Sequence, residues 1–183
     1  GNRAPRGRSV IVSIVGQLGA VTSVWRGGVW RDTPCWSDPQ SISLAPDLVR
    51  TGRLIEVPDV HLFPSYFGAR SVVFRAGLEL GFLNAALRVL ASIRQRWPFE
   101  VMARRAHLLQ SLANLLLPFG TDRGGMLVAV IGRRGATVHR REWRLVAEAG
   151  DGPYIPAVAA RALIRRMSAV PSGGRPCLAG ATP

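Results

Sequence analysis

The stretch "GGMLVAVIGRRGATVHRREWRLVAEAG", residues 124–150, constrains the fold more than any other. Two runs of strand length flank a turn at residues 132–135, and the second run alternates through Val138, Arg140 and Glu142, then Trp143, Leu145 and Ala147. Parallel neighbours need a crossover of roughly a dozen residues or more, and a tight glycine turn supplies none. The two runs are therefore expected to pair antiparallel, and any architecture for this chain must accommodate that ribbon.

The rest of the chain supplies its company. "VTSVWRGGVWRDT", residues 21–33, reads as a second hairpin, because Gly27-Gly28 offers the positive φ that two-residue turns require. Its tryptophans are expected to pack on a sheet face, since no base-stacking module accompanies them. Val10, Ile14 and Leu18 recur at helical spacing beside Ile11 and Val15, so residues 9–18 predict a helix stopped by Gly19. Residues 32–39 read as loop, and short strands are expected at residues 41–44, 54–57 and 71–75. The aromatic-rich stretch 58–68 reads as a connection.

Residues 80–117 change character. Leu83, Leu87 and Leu90 are interleaved with Arg88, Arg94 and Arg96, Pro98 breaks the pattern, and a second helix is expected over residues 99–117. Pro118-Phe119-Gly120 stops it. Neither half has an apolar run of spanning length, roughly 20 residues. Burial against a sheet or a partner subunit is preferred over an amphipathic membrane-surface role, which stays open as a peripheral contact. The last helix is expected over residues 155–167, with Asp151 able to cap the turn before it, Pro156 in its first turn, and Arg161 and Arg165 towards its C-terminus. These elements predict an α+β fold in a single domain of 183 residues, with a mixed, largely antiparallel sheet, a helical hairpin and packing helices.

Charge and cysteines narrow the function classes. All 24 basic residues are Arg, and against 11 acidic residues they give a net charge of +13. Arginine-rich faces bind phosphate and nucleic acid. The absence of Lys beside abundant Ala, Gly, Val and Pro instead favours a compositional habit, so nucleic acid is not the expected partner. Cys35 and Cys177 stand far apart, without a CxxC or Cys/His cluster, so no metal site is expected and reduced thiols in a cytoplasmic protein are the inference. The opening "GNRAPRGRSV" lacks the apolar core of a signal peptide and reads as an interior cut through a longer protein.

No Walker loop, no G-x-G-x-x-G and no G-x-S-x-G occurs. His61, His107 and His139 have no carboxylate at triad or metal spacing, and read as structural or surface residues. Two glycine-bearing loops remain. "FGTDRGGM", residues 119–126, sets Asp122 and Arg123 between glycines, either as a turn or as an anion or carboxylate contact through Arg123. "AGDGPYIP", residues 149–156, sets Gly150, Gly152, Pro153 and Tyr154 at a helix start. Free amides there attract anions, whereas Asp151 repels them.

"FGTDRGGM", the strand pair after it, "LVAEAGDGPYIPAVAARALIRRM" and "GGRPCL" together resemble the C-terminal half of bacterial saccharopine dehydrogenase-like proteins. "GNRAPRG", "VWRGGVWR" and "LFPSYFGARSVVFRAGLEL" follow the same style. The resemblance implies the substrate-binding and dimerisation domain of an NAD(P)-dependent oxidoreductase, preceded in the intact protein by a Rossmann domain. The dinucleotide fingerprint is missing here, so no cofactor is expected on this chain alone and NAD(P) is expected for the intact protein. Its implied partners are that upstream domain, a second copy in a homodimer, and a small-molecule substrate. It also implies that Gly150, Gly152, Pro153 and Tyr154 face an interdomain cleft with Asp122 and Arg123 nearby; no catalytic residue is carried over. The alternative reading is an Arg-rich α+β module that binds anionic ligands, nucleic acid or a membrane surface without catalysis.

Overall fold

The computed structural model describes Arg3, residues 8–94, Ser111 and residues 114–169. The fold is α+β, and every strand pairing among the described residues is antiparallel. The strands pair in the largely antiparallel manner expected. They divide into a two-stranded, a three-stranded and a second two-stranded sheet.

Helix α1, Arg8–Gln17, buries Ile11, Val15 and the following Leu18. Gly19 ends it at φ 66, and a Cβ there would lie 3.0 Å from the Ala91 carbonyl oxygen. Strands β1, Val21–Arg26, and β2, Val29–Pro34, form the expected hairpin, with φ of 66 at Gly27 and 85 at Gly28. Positive φ at both central positions gives the primed turn whose twist matches that of the strands. Trp25 and Trp30 are cross-strand partners 5.0 Å apart, and Trp30 stacks on His61. The tryptophans thus pack on a sheet face, as their spacing predicts.

Strand β3, Gln40–Ala45, contains the expected 41–44 segment and pairs with β4, Leu48–Leu54. The expected strand at residues 54–57 is corrected: the ladder ends at Leu54. Beyond it, the Glu56 N–H donates to Gln17 Oε1 at 3.1 Å, and Gln17 Nε2 donates to the Glu56 carbonyl at 3.0 Å. A helix-end amide therefore satisfies the backbone that a partner strand would otherwise take.

The aromatic connection is also corrected. Pro58–Phe67 is helix α2, with Pro58 in its first turn, Asp59 beside it, and Gly68 closing it at φ 61. The segment expected as a strand at 71–75 divides its bonds between two sheets. Val72 bridges Trp25, while strand β5, Arg75–Ala76, pairs with β4.

Helix α3, Gly81–Arg94, sets Leu87, Leu90 and Ala91 against the cluster of Leu18, Cys35 and Trp36. The rest of the expected helical hairpin, with Arg96, Pro98 and His107, lies outside the described residues, apart from helical positions at Ser111, Asn114 and Leu115. A short 3-10 turn, Leu117–Phe119, closes on Gly120. The ribbon then follows as β6, Gly124–Arg134, and β7, Thr137–Ala147, in uninterrupted register. Its base leans on β3, where Leu44 and Ala147 are buried, and most of its length is exposed. Helix α4, Ile155–Ala169, completes the described chain, with Val158 and Ile164 exposed.

Candidate functional site

The two glycine-bearing loops meet at the base of the ribbon, for a reason fixed by register. Gly124 pairs with Ala147, so the residues just outside that pair, Arg123 and Glu148, emerge side by side. Arg123 Nε donates to Glu148 Oε1 at 2.8 Å. The turn between β3 and β4 brings Asp47 to the same point: Arg123 Nη1 donates to Asp47 Oδ2 at 2.5 Å and Nη2 to Oδ1 at 3.4 Å. The hydrogen bond from Arg123 holds the Asp47 carboxyl below its ordinary range, and the same bond raises the Arg123 guanidinium above its own. The partners of Arg123 are thus carboxylates of its own chain, as in a turn stabilised by ion pairs.

Glu79 anchors the approach to this point. Its carboxylate accepts from the Thr121 N–H at 3.1 Å to each oxygen, from Thr121 Oγ1 at 2.5 Å, and from Arg50 Nη2 at 2.9 Å. Asp122, the next residue, is half-buried and makes no side-chain hydrogen bond or ion pair among the described residues.

The second loop is a tight corner. Ala149 and Gly150 both have positive φ, 52 and 83. The Asp151 N–H donates to the Glu148 carbonyl at 2.9 Å, and the Tyr154 N–H donates to the Asp151 carbonyl at 2.9 Å. Gly152–Tyr154 is a 3-10 turn that runs into α4, and Ile155 N–H donates back to Gly152. Asp151 stands at the N-cap position of that turn with helical dihedrals, but its side chain makes no capping hydrogen bond, which corrects the expected side-chain cap. Pro153 and Pro156 have no N–H to offer. The free amides expected at this helix start are therefore mostly absent or already bonded. Arg123 is already engaged by Asp47 and Glu148, and Asp122 and Asp151 add negative charge to the two loops, which disfavours a phosphate. What the corner does present is Tyr154, 69% exposed, with Pro153 and half-buried Gly152 beside it.

Asp47, Glu79 and Glu148 were not among the candidate residues. Glu148 was within reach of sequence reasoning, because a hairpin register that pairs Gly124 with Ala147 implies it. Asp47 lies 76 residues from Arg123, and nothing local to either residue signals the contact.

Elsewhere, His61 Nε2 lies 3.4 Å from Glu56 Oε1, so His61 does have a carboxylate neighbour, contrary to its sequence reading. Both side chains are about half exposed, and His61 is also stacked on Trp30. His139 is exposed on the ribbon. Cys35 is buried, and Cys177 lies outside the described residues. Among the described residues no group of three or more His, Cys, Asp or Glu is placed to hold a metal ion. No described helix is long and apolar enough to cross a membrane.

No family model matches the chain, and no curated protein or solved structure matches it significantly.

Proposed function

We propose that this chain is the substrate-binding and dimerisation domain of a saccharopine dehydrogenase-like oxidoreductase, working beside a Rossmann domain that carries NAD(P). The observation that carries the reading is the convergence of the two candidate loops at the ribbon base. Arg123 is locked to Glu148, and Glu148 leads directly into the corner that presents Tyr154. Such a place is shaped by backbone and held by side-chain hydrogen bonds within the chain, which suits a wall that orients a substrate while chemistry proceeds on another domain. Hydride transfer belongs to the dinucleotide when it is bound by that domain; Gly150, Gly152, Pro153 and Tyr154 supply contact and exclude water.

The test is kinetic and uses the intact protein in which a Rossmann domain precedes this chain. Tyr154→Ala raises KM for the substrate and leaves the affinity for NAD(P)H unchanged. A variant that loses NAD(P)H affinity, or one with unaltered KM, overturns the reading. The 183-residue chain on its own leaves NAD(P)H fluorescence unchanged.

A second reading, an Arg-rich module for polyanions, is favoured by the ribbon tip. Arg133, Arg134 and Arg141 have no ion-pair partner there among the described residues. It requires nucleic-acid binding at low salt that falls steeply as salt is added.

A further inference from the structure

The register of the ribbon sorts its side chains into two unlike faces, because cross-strand partners share a face and successive residues alternate. One face carries Met126, Val128, Val130 and Arg134 from β6, with Trp143 opposite Val128 and Arg141 opposite Val130 on β7. Met126, Val128, Val130 and Trp143 are all exposed, and they are contiguous. No acidic residue of either strand lies on this face. The opposite face carries Glu142, which accepts from Arg140 and Arg144, together with exposed Ile131 and Val138.

The first face therefore sets an apolar row beside arginines that no carboxylate neutralises, and a contiguous exposed row of this kind marks a contact surface. Its occupant must be anionic and must also take up apolar side chains. A nucleic acid would meet Arg134 and Arg141 but leave Val128 and Val130 in water, since only an aromatic ring stacks on bases. An anionic bilayer meets both at once: the boundary between headgroups and acyl chains takes the valines and the indole, and lipid phosphates take the arginines. The backbone fixes the depth. Each strand bonds only to the other within its two-stranded sheet, so each has an outer edge without a ladder partner among the described residues. Such edges are not tolerated in hydrocarbon, whereas water and phosphate satisfy them at headgroup level. The net charge of +13 adds long-range attraction to the same surface.

We infer that this face of the ribbon docks on the surface of an anionic phospholipid bilayer, with Val128, Val130 and Trp143 at the headgroup–acyl boundary and Arg134 and Arg141 on lipid phosphates. The inference goes beyond the enzymatic reading. Val128 lies four residue pairs up the ribbon from Gly124, roughly 13 Å away, so lipid contact there does not use the corner that presents Tyr154. A short apolar row and two arginines make a reversible, peripheral attachment, one that strengthens with the proportion of anionic lipid and weakens with salt.

The test is cosedimentation of the full 183-residue chain with vesicles of phosphatidylcholine alone and of phosphatidylcholine mixed equally with phosphatidylglycerol. Binding is expected to the mixed vesicles and not to the neutral ones. Arg134→Gln with Arg141→Gln lowers the partition coefficient about 25-fold, since each basic residue near such a surface contributes about fivefold. Val128→Thr with Val130→Thr lowers it about tenfold by removing apolar contact. The matching pair on the opposite face, Ile131→Thr with Val138→Thr, leaves it unchanged. All four positions are exposed and threonine keeps the β-branched shape, so the two pairs are matched in their effect on the strands. Lipids brominated near the headgroup end of the acyl chain quench the wild-type tryptophan fluorescence, and Trp143→Phe binds but loses most of that quenching. Absence of binding to the mixed vesicles overturns the inference, and so does equal binding to the neutral ones. Binding that needs the arginines but is indifferent to the Val128 and Val130 substitutions is general charge attraction, and overturns the docked face. Binding of duplex DNA in place of vesicles assigns the face to nucleic acid; self-association lost in the Val128 and Val130 variant, in place of vesicle binding, assigns it to a second copy. Either result overturns the inference, and none of these outcomes bears on the kinetic test of Tyr154.

Discussion

Asp38 sits where three segments cross. Its carboxylate accepts from Arg26 Nη2 at the end of β1 at 2.5 Å and from Arg75 Nη2 on β5 at 2.7 Å, and its carbonyl accepts a further bond from Arg75. The residue holds φ 49, and its neighbour Trp36, buried in the core, holds φ 65. A backbone this contorted persists when side-chain bonds over-determine it. The hydrogen bond from Arg26, then that from Arg75, lower the Asp38 pKa below its ordinary 3.8. A lowered folded-state pKa means that the charged form is favoured by folding. The stabilisation is complete well above 3.8 and disappears as pH falls through the lowered value. Asp38→Asn is therefore expected to destabilise at neutral pH and to approach wild-type stability in acid, once the pH has fallen through the lowered pKa. Urea midpoints at the two pH values decide this, and a gap independent of pH counts against it. Gly19 offers a separate check, since its positive φ opposes a side chain, and so does the Ala91 carbonyl oxygen, 3.0 Å from where a Cβ would lie. Gly19→Ala is expected to lower stability by about 1–2 kcal/mol in the same titration. Gly19 was legible as a helix stop. Asp38 was not, because its partners stand 12 and 37 residues away and a loop rich in turn formers gives no hint of them.

At the scale of elements, legibility followed how locally each segment satisfies its own backbone. The hairpin of β1 and β2 and the ribbon of β6 and β7 close through short turns, so alternation and glycine placement revealed both. Strand β4 was displaced in the sequence reading because Leu48, Gly52 and Leu54, all buried, alternate around Arg50 and Arg53, and the arginines mask the period. Helix α2 was missed although Pro58 and Gly68 mark its ends correctly, because Pro64 lies inside it and reads as a breaker. The stretch after β4 fails as a strand for a reason visible only in three dimensions, the Gln17 amide clasping Glu56. That clasp ties the end of α1 to the chain entering α2. Gln17→Leu keeps a helix-compatible side chain of similar size but leaves both backbone groups to water, and a loss of about 1 kcal/mol is expected in thermal unfolding. An unchanged midpoint would show that solvent replaces the amide without cost.

For the whole molecule, the distribution of arginine matters more than its number. Arg26 and Arg75 hold Asp38, Arg50 holds Glu79, Arg123 holds Asp47 and Glu148, and Arg140 and Arg144 hold Glu142. Six of the 24 arginines are thereby paired with carboxylates of the same chain among the described residues. The proximity of the candidate loops follows from the register that pairs Gly124 with Ala147, while the contact with Asp47 emerged only once the turn between β3 and β4 was placed. The arginines left without ion pairs at the ribbon tip are the place where the two functional readings make different predictions. If the tip serves polyanions, neutralising it removes phosphate contacts, and each lost contact lowers the salt slope of nucleic-acid binding by about 0.9 for duplex and 0.7 for single strands. The triple variant Arg133→Gln, Arg134→Gln, Arg141→Gln separates them. The expected outcome is a nearly unchanged, shallow salt slope for nucleic acid; a slope that falls by about 2–3 with duplex DNA transfers the tip to the polyanion reading.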